Sequence, residues 1–255
     1  MDQASPSVNS STPVISPCGD WTLYEHRVVT STNLLAANLP AWTALRADTQ
    51  TAGRGRFQRT WISDQGGLWL SAVVPLSGAD LEHRILPLAA GLAVCNALQE
   101  LGLRLCRLRW PNDVMIRDRK LAGLLIDQFV PSLAVIGIGL NVANQPETLD
   151  STLKRHTTRL ADLLTEPPGL PALTALILRH LRKLVLELRH DGAPNLLLRI
   201  NELWGPALEV ELDLDGTVRR GLFSGVDAEA RLRLWDEAGR PALYEAHQVR
   251  HLTEI

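Results

Sequence analysis

Three short runs hold the residues whose types and spacing could do chemistry. The first, Ala52 to Trp61, places Gly53 and Gly55 among Arg54, Arg56 and Arg59, with Phe57 and Trp61 interleaved. The second is Arg109-Trp110-Pro111-Asn112-Asp113, and the third is Lys120-Leu121-Ala122-Gly123. Glycines let backbone amides come close to a ligand, and guanidinium groups match the shape of phosphates and carboxylates. A lysine at a strand start, beside small residues, suits a point charge on a phosphoryl group. A cationic loop, a turn carrying an amide and a carboxylate, and one lysine would together suit the joining of a carboxylic acid to a nucleotide.

Each run has a plainer reading. An arginine-rich stretch is commonly a solvated surface loop. With Phe57 and Trp61 as stacking platforms it could also bind single-stranded nucleic acid. A third reading is a loop that orders over its ligand and keeps water from a reactive intermediate. Trp-Pro-Asn-Asp alone makes a good type I turn, and Lys120 alone is an ordinary surface lysine. Other candidates fail. Gly137-Ile138-Gly139-Leu140-Asn141 opens like a dinucleotide fingerprint but lacks the third glycine and the following helix, so close strand packing explains it. His247 and His251 are spaced like metal ligands but have no acidic third partner, and are read as solvent-exposed. Ser31 is read as a helix N-cap rather than a nucleophile.

The elements that must position these residues follow from hydrophobic period. Glu25–Val29 and Thr43–Asp48 read as strands, with Thr30-Ser31-Thr32-Asn33 offering N-caps between them. Gly67–Val74 is a buried strand. Leu81 to Leu101 carries a helical stripe, with Pro87 implying a kink or a late start. Leu105–Trp110 and Asp113–Arg117 form a hairpin-like pair, and Lys120–Phe129 and Leu133–Leu140 add two strands. Leu170–Leu188 is a helix with Leu173, Ile177, Leu181, Leu184 and Leu188 on one face, and Pro194–Leu203 is another. After Trp204 the texture changes to short alternating strands with turns, which reads as a small β-barrel. The fold class is therefore α+β: residues 1–20 a disordered Ser/Pro-rich tail, 21–203 the main domain and 204–255 the barrel.

At 255 residues and 45% hydrophobic, the chain can bury a substantial core. A net charge of −2 argues against DNA or RNA as the main partner. The three cysteines (Cys18, Cys95 and Cys106) include no CxxC pair and fit a reducing compartment, with Cys95 and Cys106 buried and inert. No run reaches the ~20 apolar residues that span a bilayer, and the first residues do not read as a signal peptide, so a cytoplasmic protein is expected.

Taken together, these stretches resemble the biotin protein ligases, or biotin–[acetyl-CoA-carboxylase] ligases. Ser31-Thr32-Asn33, Gln50 through Trp61, Trp69-Leu70-Ser71, Arg109 through Asp113, Lys120 through Gly123 and Gly137 through Asn141 arrive in that family's order and spacing. The resemblance covers roughly Trp21 to Leu252. It implies a mixed sheet flanked by helices, related to class II aminoacyl-tRNA synthetases, followed by an SH3-like barrel. It also implies two half-reactions: biotin and MgATP give biotinyl-5′-AMP and pyrophosphate, then a lysine of a biotin carboxyl-carrier domain takes the biotin and releases AMP.

By the same resemblance, Lys120, Arg56 and Asp113 are catalytic. Ser31, Thr32, Asn33, Gln50, Gly53, Arg54, Arg56, Trp69, Lys120 and Gly123 are biotin-binding. Arg56, Arg59, Trp61, Asn112, Lys120 and Asn141 are nucleotide-binding, and no metal ligands are implied. Departures from the family pattern are Arg109 where lysine is usual, Thr30 where an acidic residue is common, Asp127 where glutamate is common, and Ala246-His247 in a region that is often glycine. The short tail implies no DNA-binding module and no repressor role. Membrane partners are not expected, and a homodimer through a sheet edge is left open.

Overall fold

The computed structural model describes residues 12–204 and 207–255. The N-terminal region builds β1 (Val14–Cys18), β2 (Trp21–Val29), α1 (Thr32–Ala36), β3 (Thr43–Gln50) and β4 (Leu68–Pro75). Next come α2 (Asp80–Glu100), β5 (Cys106–Arg109), β6 (Asp113–Ile116), β7 (Arg119–Val130) and β8 (Leu133–Leu140). A segment of short 3-10 turns leads to α3 (Leu170–Asp191) and α4 (Pro194–Trp204). The chain ends in β9 (Leu208–Leu214), β10 (Thr217–Val226), β11 (Leu232–Trp235), β12 (Pro241–Tyr244) and β13 (His251–Glu254).

The first eight strands make one sheet in the order β1-β2-β3-β4-β8-β7-β6-β5. It is mixed: β2 and β3 run parallel, joined through α1, and the remaining pairs are antiparallel. Side chains alternate across such a sheet, and the register sorts them cleanly. Leu70, Ala72 and Val74 of β4 join Ile136, Ile138 and Leu140 of β8 in the core with α2, α3 and α4. The intervening residues, Ser71 of β4, Gly137 and Gly139 of β8, and Gly123 and Asp127 of β7, stand in register on the other face. That second face has only the short α1 and loops above it, which leaves room for a cavity.

The helices behave as their patterns require. Leu173, Ile177, Leu181, Leu184 and Leu188 are all buried on α3, which starts after Gly169 and stops at Gly192 with φ 76°. Pro87 lies inside α2, whose helical run begins at Asp80, so no late start occurs.

One expectation needs correction, and another is met only in its coarser form. The segment assigned to a disordered tail contains β1, which pairs antiparallel with β2 from Val14↔Glu25 to Cys18↔Trp21; residues 1–11 lie outside the described residues. Pro17 is tolerated there because an edge strand can spare one donor. The C-terminal strands form a five-stranded antiparallel sheet in the order β12-β11-β10-β9-β13, and no pairing of β12 with β13 closes it among the described residues. Its apolar residues Val210, Leu212, Phe223, Leu232 and Leu252 belong to the same core as α2 and α3, so the two sheets share one interior. Trp204 sits at this junction, edge-on to Phe223 with ring centroids 5.1 Å apart, and its indole donates to Leu108 O at 2.9 Å.

Candidate functional site

A cavity of about 460 Å³ opens on the α1 face of the large sheet. One end is walled by a buried polar network. Gln50 Oε1 accepts from Thr32 N at 2.8 Å and from Thr32 Oγ1 at 3.1 Å. Gln50 Nε2 donates to Ser63 Oγ at 2.8 Å, and Ser63 donates to Trp61 O at 3.0 Å. Ser71 Oγ lies 2.7 Å from Thr32 Oγ1 and donates to Asn33 Oδ1 at 2.6 Å. Asn33 Nδ2 then donates to Asp127 Oδ2 at 2.9 Å. Gly137 is needed beneath it, since a Cβ there would come within 2.5 Å of Asn33 Oδ1. Buried polar groups are costly unless paired, and pairing fixes the shape of this end.

The other end is cationic. Arg54, Arg56, Arg59, Arg109, Lys120 and Arg250 line the cavity, with Asp113 and Asp150 as the carboxylates on its wall. Asp113 is clamped: Lys120 Nζ lies 2.5 Å from one oxygen, and Arg109 donates to the other at 2.8 Å. Burial alone would push the Asp113 carboxyl up, but Lys120 and Arg109 outweigh it and hold its pKa below the ordinary value. Burial lowers Arg56 to about 10, against an opposing pull from Asp113, so it stays charged at neutral pH. His251 is lowered by burial and then by the charges of Arg109 and Arg59.

Trp61 closes the floor of the slot. Its ring lies over Gly123 and Gly139, where a Cβ would approach indole atoms to 2.8 Å and 2.5 Å respectively, and Lys120 Nζ sits 4.9 Å from its centroid. The dinucleotide-like glycines, read from the sequence as close strand packing, instead make room for side chains above the sheet: Gly137 for Asn33 and Gly139 for Trp61. The Gly-Arg loop is a tight hairpin: Gly55 N donates to Arg59 O at 2.7 Å, and Trp61 N to Gly53 O at 2.9 Å. Asn112 holds it from below, donating to Leu124 O at 2.6 Å and accepting from Arg56 Nη1 at 3.5 Å.

Most residues singled out from the sequence meet on this wall: Ser31, Thr32, Asn33, Gln50, Arg54, Arg56, Arg59, Trp61, Asn112, Asp113, Lys120, Gly123 and Asn141. Gly53 and Trp69 are not lining residues. Gly53 packs on its own hairpin, and Trp69 is fully buried with its indole donating to Asp64 O at 2.9 Å. Ser31 occupies the N-cap position of α1 but makes no side-chain capping bond. Asn141 commits its amide to Thr158 O at 3.2 Å and its carbonyl to Asn144 at 3.0 Å, so it braces the segment after β8. His247 and His251 are exposed, as expected, and His251 also lies at the cavity wall. Phe57 and Trp61 are partly buried against protein groups rather than presented as open stacking platforms, which removes the basis of the single-strand reading.

The sequence reading assigned no role to Ser63, Asp127, Arg250 or the 146–157 segment. Asp127 carried one signal, its place after the Lys-Leu-Ala-Gly strand; Arg250 carried none.

Comparison with known proteins identifies the family. The profile of the Biotin/lipoate A/B protein ligase family matches residues 25–141. A biotin–[acetyl-CoA-carboxylase] ligase of Mycobacterium tuberculosis is 35% identical over 221 residues, covering 82% of this chain and 78% of that protein. The bifunctional ligase/repressor BirA of Bacillus subtilis is 30% identical over 243 residues, covering 89% and 73% respectively. The structure of an Aquifex aeolicus biotin protein ligase in complex with biotin and ATP superposes with a TM-score of 0.80 at 27% identity, over 91% of this chain and 99% of the other.

Proposed function

The chain belongs to the biotin protein ligases, and on that premise we propose that it activates biotin with ATP and transfers it to a protein lysine. In the first step a biotin carboxylate oxygen attacks the α-phosphorus of ATP. The bond to the bridging oxygen breaks, and biotinyl-5′-AMP and pyrophosphate result. In the second, the amine of a carrier-domain lysine attacks the acyl carbon, the bond to AMP breaks and an amide forms. ATP enters as its magnesium complex.

The observation that carries this reading is the meeting, in one cavity, of a hydrogen-bonding end and a cationic end joined by Trp61 and Lys120. Two anions must be brought together, and six cations on the wall lower that cost. Lys120 bridges carboxylate and phosphate, with Asp113 and Arg109 fixing its position. Because Asp113 is held ionised by two cations, it is a weak proton acceptor, and positioning Lys120 is its better-supported role. Arg56 and Arg59 hold the adenylate under the loop. Thr32, Asn33 and Gln50 belong to the ring end, where a ureido head with one carbonyl and two N–H groups would be read. The small C-terminal sheet is taken as an SH3-like module, and a biotin carboxyl-carrier domain as the acceptor.

The test is biotin-dependent exchange of labelled pyrophosphate into ATP, with lipoate and octanoate as parallel acids. Exchange with biotin alone is expected. Exchange with lipoate or octanoate instead would keep the fold and overturn the substrate.

A further inference from the structure

The Gly-Arg loop closes on itself through Gly55 N to Arg59 O and Trp61 N to Gly53 O, but its tip is strained. Phe57 (φ 54°) and Gln58 (φ 59°) are consecutive non-glycine residues in the left-handed region. Side chains avoid that region, and it persists where surrounding contacts over-determine it. Besides the loop's own hairpin bonds and Asn112, contacts at this tip come from the far end of the chain. Arg56 Nη2 donates to Ala246 O and, at 3.2 Å, to Val249 O, which lie just before β13. The Phe57 ring has two guanidinium groups over it, Arg56 at 4.7 Å and Arg250 at 4.5 Å from its centroid. Arg250 is itself fixed, through Nε to Asp215 Oδ1 at 3.0 Å and through its backbone N–H to Asp213 O at 2.8 Å.

We propose that Phe57 and Arg250 form a clasp by which the C-terminal sheet holds the Gly-Arg loop over the reacting groups. Both are then positioning residues for the ligase reaction, a role that rests on the function proposed above. The ring attracts both cations, so one aromatic side chain keeps Arg56 aimed at the cavity while anchoring the loop to Arg250. An adenylate is retained for as long as the loop stays down. The clasp therefore sets the lifetime of the bound intermediate rather than the chemistry that forms it, and it makes the second sheet part of the site although it supplies no reacting group.

The experiment uses the full chain loaded with biotin and ATP and measures the rate at which biotinyl-5′-AMP leaves the enzyme. Phe57→Ala and Arg250→Ala should each speed release about fivefold. The double variant should be no faster than the quicker single one, because both break the same contact. Phe57→Tyr keeps the ring and should release as wild type does. Arg250→Lys keeps the charge without the planar face and should release faster even where Arg250→Ala folds poorly. Unchanged release in the single variants, or two effects that multiply in the double variant, would overturn the clasp. A wild-type chain that forms no adenylate would instead overturn the ligase reading and the clasp with it. Wild type and variants that all form and hold the adenylate equally would overturn the clasp alone.

Discussion

At the ring end of the cavity, Thr32, Asn33, Gln50 and Ser71 already have protein partners within hydrogen-bond distance. At the loop end, Arg56, Arg59, Arg109, Lys120 and Arg250 line the wall with the carboxylates Asp113 and Asp150, and only Lys120 and Arg109 pair with Asp113. The first end is paired on the same sheet and on α1, its one carboxylate, Asp127, balanced by Arg54 at 3.6 Å. The second is strongly positive, and part of it is held by carbonyls on the other sheet. A paired network fixes shape and recognises by fit, losing little to salt. An excess of positive charge attracts anions in general and weakens as ionic strength rises. Under the proposed function, selection of the acid would belong to one end and stabilisation of the reacting charges to the other.

The sharpest way to break that division is Lys120→Ala. It should lower pyrophosphate exchange by on the order of 10³-fold while thermal unfolding stays cooperative; near-normal exchange would remove Lys120 from the mechanism. Arg56→Gly should leave adenylate formation measurable but raise release by roughly 30-fold, seen as biotin on bystander lysines. Labelling confined to the carrier lysine would count against it. At the other end, Gln50→Ala takes the acceptor from Thr32 N and the donor from Ser63 Oγ. It should raise KM for biotin about tenfold with kcat changed by less than about twofold. A loss mainly in kcat would show that the two ends are not separable.

The smallest effect concerns pH. Asp113 has a folded pKa below its unfolded value, so the stability it contributes is full above the unfolded carboxyl pKa of about 3.9 and is lost as pH falls through the lower folded value. Asp113→Asn should therefore be less stable than wild type near pH 6. The gap in Tm should narrow toward about pH 2. A constant gap across that range would mean the ion pairs with Lys120 and Arg109 contribute nothing.

What could be read from the sequence followed from how local its signal was. The leucine stripe of α3 and the apolar runs of β4 and β8 announce themselves within a dozen residues, and each forms where expected. The site runs at Ser31, Gly53 and Lys120 were legible because their order matches a known pattern. The strand β1 was not, since Val-Ile-Ser-Pro-Cys has no alternation and its Ser/Pro-rich surroundings read as tail. The bond between Asn33 and Asp127 joins residues 94 apart, and that between Arg56 and Ala246 joins residues 190 apart. Such pairs depend on register and on how two sheets pack, which no short window of sequence contains.

Behind the sheet, Cys106 on β5 and Cys95 on α2 are both buried, with their sulfurs 3.0 Å apart. Burial, together with the neighbouring thiol, pushes the Cys95 thiol well above its usual pKa, so the reactive thiolate scarcely forms while α2 is seated. Partly buried Cys18 is raised as well, by burial and by Glu25, but it lies nearer the surface. Alkylation of the buried pair thus requires α2 to lift from the strands that carry the site on their opposite face. The interior holds a chemical clock, silent in the packed state, whose rate counts the openings of the scaffold beneath the cavity.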